Sequence, residues 1–418
     1  MFGRRRRSLR FWLSVACAAA FAMLGFVLWQ LDTLQPKVAA MVGPQPTATP
    51  NAFEYARKAD AAFWQGDLNT AISAYREAAN SAPTNVDILY ELARMLIYRS
   101  YGDVRNSADV DEAQKWGAQA IQAAPDNARA YTINCFALLT ASKSEDAVRS
   151  CVRALDLDRA NADAHAYLAL AYYDLGRTSS ALQEGETAVQ LNDKSIDAQT
   201  AYAFALWFQG RTTQALEHFK QAAEINQRLE FPYFNMGGFA SALGTTDDSK
   251  YLLAIDVYNT VLSFNKTSVK AYTRLCQTYF AKASRSVEDI RLARDNCEQA
   301  TELDGQYATG WRWLGQVQYF SRNYEGSLES FDKCYELEKD LPSQNREVEC
   351  WYLRASAYFI LAECEKAFPI IDDMLQWTTA DWVDKARVLI NKCQYAYKGE
   401  YKTPTPVPTP MPKPTPIL

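Results

Sequence analysis

Residues 162–195 read ADAHAYLALAYYDLGRTSSALQEGETAVQLNDKS, and residues 196–229 read IDAQTAYAFALWFQGRTTQALEHFKQAAEINQRL. Set one beneath the other, the two segments keep the same residue character at a step of 34. Ala169 falls on Ala203, Ala181 on Ala215 and Ala188 on Ala222, and Leu175-Gly176-Arg177 falls on Gln209-Gly210-Arg211. Small residues at these intervals let two antiparallel helices approach closely, while Leu and aromatic side chains wedge between successive pairs. The turn triplets close the first helix of each pair.

Outward from this block the register continues. Cys135 and Gly237 extend the small position by one step on either side, as Ala147 and Ala154 extend the other two registers backwards. Each unit has a small residue, Ala 12 later, an apolar residue 16 later and a small residue 19 later. Ala59-Ala71-Tyr75-Ala78 and Gly315-Ser327-Phe331-Cys334 satisfy this, and Ala355-Ala367-Ile371-Met374 does so with a larger last member. Three units carry extra residues between the helices: eight in Ala93-Ala113-Gly117-Ala120, five in Gly237-Ala254-Tyr258-Val261 and five in Cys276-Ala293-Cys297-Ala300. The insertions lie at about Arg99 to Val110, Thr245 to Tyr251 and Lys282 to Val287. Gln65-Gly66-Asp67 closes another first helix, and Ala82-Pro83-Thr84-Asn85 and Ala124-Pro125-Asp126-Asn127 close second ones.

The 34-residue step, the Ala-aromatic-Ala second helix and the closing Pro-x-Asn resemble the tetratricopeptide repeat (TPR) family. Nine units span residues 52–376, roughly three-quarters of the chain, and Trp382 to Tyr397 reads as a capping helix with Trp382, Ala386 and Leu389 on one face. Arg159, Asp193, Gln227 and Lys266 stand where the family places its closing Pro. The resemblance implies an all-α, right-handed superhelical solenoid of about nine helix pairs plus a C-terminal capping helix (377–401), preceded by one transmembrane helix.

That last helix rests on the amino terminus. Residues 11–31 carry no charge, and 21 residues at ~1.5 Å rise cover roughly 30 Å, the depth of a bilayer core. Trp12 and Trp29 sit near the ends, and Arg4 to Arg7 with Arg10 precede the run. Basic residues stay cytoplasmic, so residues 1–10 are expected inside and everything after 31 outside, as in a signal anchor of the cell membrane. A cleaved signal peptide is the rival reading, because Val38-Ala39-Ala40 offers a peptidase site; a lipoprotein anchored at Cys17 is weaker, because Ser14 stands where Leu is wanted. Residues 32–51 and 402–418 are Pro/Thr-rich, the second including TPTPVPTPMPKPTP at 403–416. Such sequence favours extended polyproline II, either as a tail without a partner or as a spacer or ligand for a Pro-binding module.

Charge narrows the partners. Net charge is −5, and without the five amino-terminal Arg the remainder holds 44 − 5 = 39 basic against 49 acidic residues, a net −10. That sign repels phosphate backbones, so nucleic acid is excluded and a protein or peptide partner is expected.

Eight cysteines beyond Cys17 fall in sequential pairs. In the family's fold, Cys135 with Cys151 and Cys276 with Cys297 occupy slots that face each other within a unit. Cys334 with Cys350 and Cys364 with Cys393 are candidates to staple the last units and the cap. Disulfides outside the cytoplasm fit the expected orientation; the alternative is eight small buried apolar residues.

Catalysis has no candidate constellation, and no cofactor or metal is expected. His165, near the start of a first helix, and His218, read as outward-facing on a second helix, lack ligands at metal spacing. Neither a phosphate loop nor a nucleophile elbow occurs, and Asp247-Asp248 and Asp372-Asp373 read as solvated, in an insertion and on a helix. The first helices of a repeat array line a concave face instead. The residues just after the small position and four after it give Phe136, Leu139, Leu170, Tyr173, Phe204, Trp207, Gln277, Phe280, Gln316 and Tyr319, with Asn235, Arg274 and Arg312 on neighbouring turns. A mostly aromatic strip at solvent-facing positions marks a binding surface, unless these rings pack between units. Acidic-tail clamps of the family use Lys and Asn where this chain has Ala56 and Asp60, Tyr90 and Arg94, and Thr132 and Phe136, so an apolar peptide or amphipathic helix fits better. The first expectation is a membrane-anchored scaffold or assembly factor. The second is a cell-surface receptor stacking glycan on rings such as Trp207 and Tyr319, and the third is an enzyme with its site in an insertion.

Overall fold

The computed structural model describes residue 23 and residues 51–101, 107–282 and 286–397. The expected anchor at 11–31 (Met23 apart), the cleavage site, Cys17, both Pro/Thr-rich segments and parts of two insertions lie outside the described residues. Among the described residues no helix is long and apolar enough to cross a membrane.

Nineteen α-helices and no strand make up the described chain, as nine antiparallel pairs and a final helix. The first three pairs are α1 (Ala52–Trp64) with α2 (Leu68–Ser81), α3 (Val86–Ser100) with α4 (Ser107–Ala123), and α5 (Ala128–Thr140) with α6 (Ser144–Leu157). Then come α7 (Ala162–Asp174) with α8 (Thr178–Leu191), α9 (Ile196–Phe208) with α10 (Thr212–Ile225), and α11 (Glu230–Gly244) with α12 (Asp248–Phe264). The last are α13 (Val269–Lys282) with α14 (Val287–Leu303), α15 (Ala308–Phe320) with α16 (Tyr324–Glu338), and α17 (Val348–Ile360) with α18 (Cys364–Leu375), before α19 (Ala380–Tyr397).

The small register has a direct steric cause. Ala59, Ala93, Cys135, Ala169, Ala203, Cys276 and Ala355 are all at most 1% exposed. A Cβ on Gly237 would meet the Tyr258 ring at 2.5 Å, and one on Gly315 would meet Phe331 at 2.7 Å. Those rings are the apolar residues of the second helix in the same units, so each pair closes by a large side chain against a missing one. Seven residues after the small position the chain turns with positive φ, at Gly66, Gly176 and Gly210 and also at Ser142, Arg322 and Ala362. The Asn that closes one unit begins the next. Asn85 Oδ1 accepts from Asp87 N at 3.0 Å and Asn127 Oδ1 from Arg129 N at 2.8 Å, which caps α3 and α5.

The extra residues between helices are largely helical. α4, α12 and α14 each have 17 residues where α6, α8 and α10 have 14. Asp248 therefore opens α12, with the Asp247 carboxylate accepting from Ser249 N at 3.0 Å, and does not lie in a loop. The added turn packs because Tyr251 lies over Gly244, where a Cβ would sit 2.4 Å from the ring. Asp373 is not merely solvated either: its Oδ2 accepts from Nε1 of the fully buried Trp351 at 2.7 Å, and Trp351 packs edge-on against Trp377 at 5.0 Å.

One relation within the array was not visible in the sequence. Asn226, at the end of α10, donates to the Phe63 carbonyl of α1 at 2.9 Å. The Arg228 carbonyl presses on Gly66, where a Cβ would fall 2.0 Å from it. Phe231 stacks on Tyr98 at 4.5 Å and meets Tyr101 edge-on at 4.8 Å, and Lys270 Nζ donates to the carbonyls of Arg99 and Tyr101. The sixth and seventh units thus return to the first two, and Leu229 and Phe231 belong to the same apolar core as Phe63 and Tyr98.

Candidate functional site

Where these units meet, the first helices of units three to five line a half-open cavity of about 940 Å³. Of the strip residues, Phe136, Leu139, Leu170, Tyr173 and Phe204 line it, and Arg274 enters from the seventh unit. The closure adds Tyr101 and Phe231, which sequence reasoning did not place there. Phe136 is 5% exposed and stacks on Tyr167 at 4.1 Å, so it forms the floor rather than a free ring. Tyr173 packs against Phe204 at 5.5 Å and Phe208 at 5.2 Å.

The polar side of the wall is acidic and hydroxylic. Asp197 accepts from Tyr98 at 2.7 Å and Tyr167 at 3.1 Å, with the Arg94 guanidinium 3.8 Å away. Burial pushes its carboxyl up to about 6, and Arg94 pulls the other way. Asp174 accepts from Ser144 Oγ at 3.2 Å, and burial raises its carboxyl as well. No lysine or arginine among the described residues pairs with Asp174. Thr200 is 2% exposed and its hydroxyl has no hydrogen-bond partner. Asp163 and Asp197 recur at the 34-residue step, each the second residue of its helix. Acidic residues are common there because of the helix dipole, which hid their inward role.

The other strip residues lie apart. Trp207 packs edge-on against Phe239 at 5.0 Å, between units five and six. Asn235 is 3% exposed and both its amide atoms lack partners; it faces the interior rather than a groove. Gln277 accepts from Arg274 at 3.0 Å, Arg312 pairs with Glu347 and lies 4.6 Å over Trp313, and Gln316 is buried. In units seven and eight the rings cluster: Phe280 with Phe320 at 5.6 Å and Trp313 at 6.3 Å, and Tyr319 with Phe320 at 5.3 Å. Phe320 is 59% exposed.

Each histidine hydrogen-bonds a side chain on the other helix of its pair. His165 Nδ1 lies 2.6 Å from Glu184, which raises the imidazole above its ordinary value. His218 is half-buried, not outward-facing: its Nδ1 is 2.7 Å from Gln199 Oε1, its ring packs on Tyr202, and burial lowers it. The structure brings the cysteines together as Cys135–Cys151, Cys276–Cys297, Cys334–Cys350 and Cys364–Cys393, with Cα separations of 5.3, 5.3, 6.0 and 5.8 Å. Buried Glu338 adjoins the third pair, but sulfurs bonded to each other leave only the carboxylate to coordinate an ion.

A model of the tetratricopeptide repeat family matches residues 137–196, from within α5 to the start of α9. Among solved structures, the chain is similar to PilF of Pseudomonas aeruginosa (16% identity, 59% of this chain and 99% of that one, TM-score 0.40). It is also similar to a thermophilic TPR protein of Thermus thermophilus (20% identity, 46% and 98%, TM-score 0.38). A third is the APC/C hetero-tetramer Cut9–Hcn1 (13% identity, 90% and 82%, TM-score 0.45). No curated protein matches the sequence.

Proposed function

We propose that this chain, whose paired helices and residues 137–196 match the tetratricopeptide repeat family, is a non-catalytic, membrane-anchored scaffold that docks a protein partner outside the cytoplasm on the first helices of its later units. Repeat arrays of this kind bind proteins. The docking face rests on the ring cluster of Phe280, Trp313, Tyr319 and Phe320. These side chains contact one another across units seven and eight, and the outermost is largely exposed. Clustered rings around a half-exposed centre are the usual anchors of protein interfaces. The uncharged run at 11–31 with its preceding Arg cluster supports the anchor and its orientation, and cysteines in pairs support an oxidising compartment. A glycan-stacking surface has less to recommend it, since Trp207 is spent on Phe239.

A photo-crosslinking residue at Phe280 or Tyr319, in intact cells, is expected to give discrete protein adducts, while the same residue at Phe136 gives none. Absence of adducts at both later positions overturns the docking face. A cytosolic reporter signal from a carboxyl-terminal fusion overturns the location.

A further inference from the structure

The cavity between the third to fifth units and the returning sixth is separate from the partner face proposed above, and its chemistry differs. A groove for an extended peptide stays open along its length. Here Phe231 and Tyr101 cross one side of it, held there by the Asn226–Phe63 and Lys270–Tyr101 hydrogen bonds. What is left is a half-open cavity of about 940 Å³, within the roughly 300–1,000 Å³ of small-molecule sites.

Its walls show which small molecules suit it. Tyr173 and Phe204 set two rings 5.5 Å apart on neighbouring first helices, and Phe231 adds a third ring to the lining. Aromatic faces attract apolar bodies and cations alike. Asp174 follows Tyr173 directly and also lines the cavity, yet its one hydrogen-bond partner is the Ser144 hydroxyl. A partly buried carboxylate without a cation is unfavourable, because the desolvation it has undergone is not offset by an opposite charge. Thr200, also in the wall, is a nearly fully buried hydroxyl that bonds to nothing. Such groups normally find a partner. The two basic groups in the wall, Lys143 and Arg274, are held on the neutral amides of Gln114 at 2.7 Å and Gln277 at 3.0 Å, and neither pairs with Asp174.

We propose that this cavity is a binding site for a small amphipathic organic cation, an aromatic or aliphatic body carrying an ammonium group. The body lies against Tyr173, Phe204 and Phe231, the ammonium donates to Asp174, and the Thr200 oxygen accepts a further hydrogen bond. An anionic ligand of the same shape meets Asp174 and Asp197 and is repelled.

The test uses the full chain and three probes that share one body and differ in the head: 4-phenylbutylamine, 4-phenylbutanol and 4-phenylbutyrate, each titrated by calorimetry at pH 7. The amine is expected to bind about ten-fold more tightly than the alcohol, and the acid more weakly still. Asp174→Asn, close in volume, removes the amine's advantage and leaves the alcohol unchanged; Phe204→Ala weakens amine and alcohol together. Asp111→Asn, at an exposed carboxylate of the same cavity, leaves the ranking as it was, and retained helical circular dichroism shows that each variant is folded. Equal affinity for the three heads, preference for the acid, an amine advantage that survives Asp174→Asn, or no saturable binding of the amine overturns the proposal. Loss of partner crosslinks at Phe280 bears on the docking face alone, so the two readings fail separately.

Discussion

At the scale of single residues, the turn seven positions after the small residue recurs in six units and is the least uniform of the array's features in composition. Gly66, Gly176 and Gly210 hold it with φ of 81°, 70° and 73°, while Ser142, Arg322 and Ala362 hold it with φ of 58°, 67° and 63°. A side chain in the left-handed region crowds its own backbone by roughly 1–2 kcal/mol, against which glycine loses more entropy on folding. Ala362 is the informative case, because it is exposed and its methyl makes no polar contact that the change would remove. Ala362→Gly is expected to raise stability by about 0.5–1 kcal/mol, seen as a higher urea midpoint at unchanged slope. A lower midpoint would show that the turn gains more from a stiff unfolded chain than it loses to strain. The three glycines announce the turn in the sequence; the other three are silent, because nothing in Ser, Arg or Ala marks a positive φ. Asp174 and Thr200 were illegible for a related reason. Nothing in the sequence marks a polar residue on a helix as lining a cavity.

At the scale of elements, the helix pair was legible because its cause is local: small against large, repeated at one step, as in Gly315 against Phe331. Periodicity says where the extra residues are added and not whether they extend a helix; each of the three 17-residue second helices is three residues longer than its 14-residue counterparts. Cys135–Cys151 and Cys276–Cys297 tie the helices of one pair, Cys334–Cys350 ties α16 to α17, and Cys364–Cys393 ties α18 to α19 across a sequence separation of 29. The final helix has one neighbour pair to pack on, with Ala386, Leu389 and Ile390 buried against Trp351 and Met374. It depends on that tie more than an internal helix would. Closing a loop of this length stabilises by about 3 kcal/mol in the chain-entropy model. Cys364→Ala with Cys393→Ala is therefore expected to lower the unfolding free energy by about 2–4 kcal/mol and to speed amide exchange in α19 before it does so in α7 or α9. Unchanged exchange in α19 would mean that its apolar face alone holds it. Mass unchanged by alkylation of the unreduced protein is the accompanying sign that the thiols are joined.

At the scale of the whole described array, the decisive contact lies between residues more than 160 positions apart, and no repeat pattern encodes it. Gly66 is required twice over at that contact: its φ is 81°, and the Arg228 carbonyl lies where a Cβ would be, 2.0 Å away. Gly176 shares the backbone requirement, with φ of 70°, but has nothing within 4 Å of its Cβ position. The two glycines therefore separate strain in a turn from loss of the closure. Gly176→Ala is expected to cost about 1–2 kcal/mol through the left-handed backbone alone. Gly66→Ala carries that cost and, because backbone meets backbone and neither can rotate away, a further amount of about 1–3 kcal/mol. The excess has a location. Asn226 loses the Phe63 carbonyl and Phe231 loses its stack on Tyr98, so amide exchange rises in α1 and at the start of α11, while total helix content stays constant. The cavity then loses its Phe231 wall, and the amine affinity of the pocket falls in Gly66→Ala and not in Gly176→Ala. Equal costs for the two substitutions, with α1 and α11 equally protected, would show that the early and late units touch without holding each other.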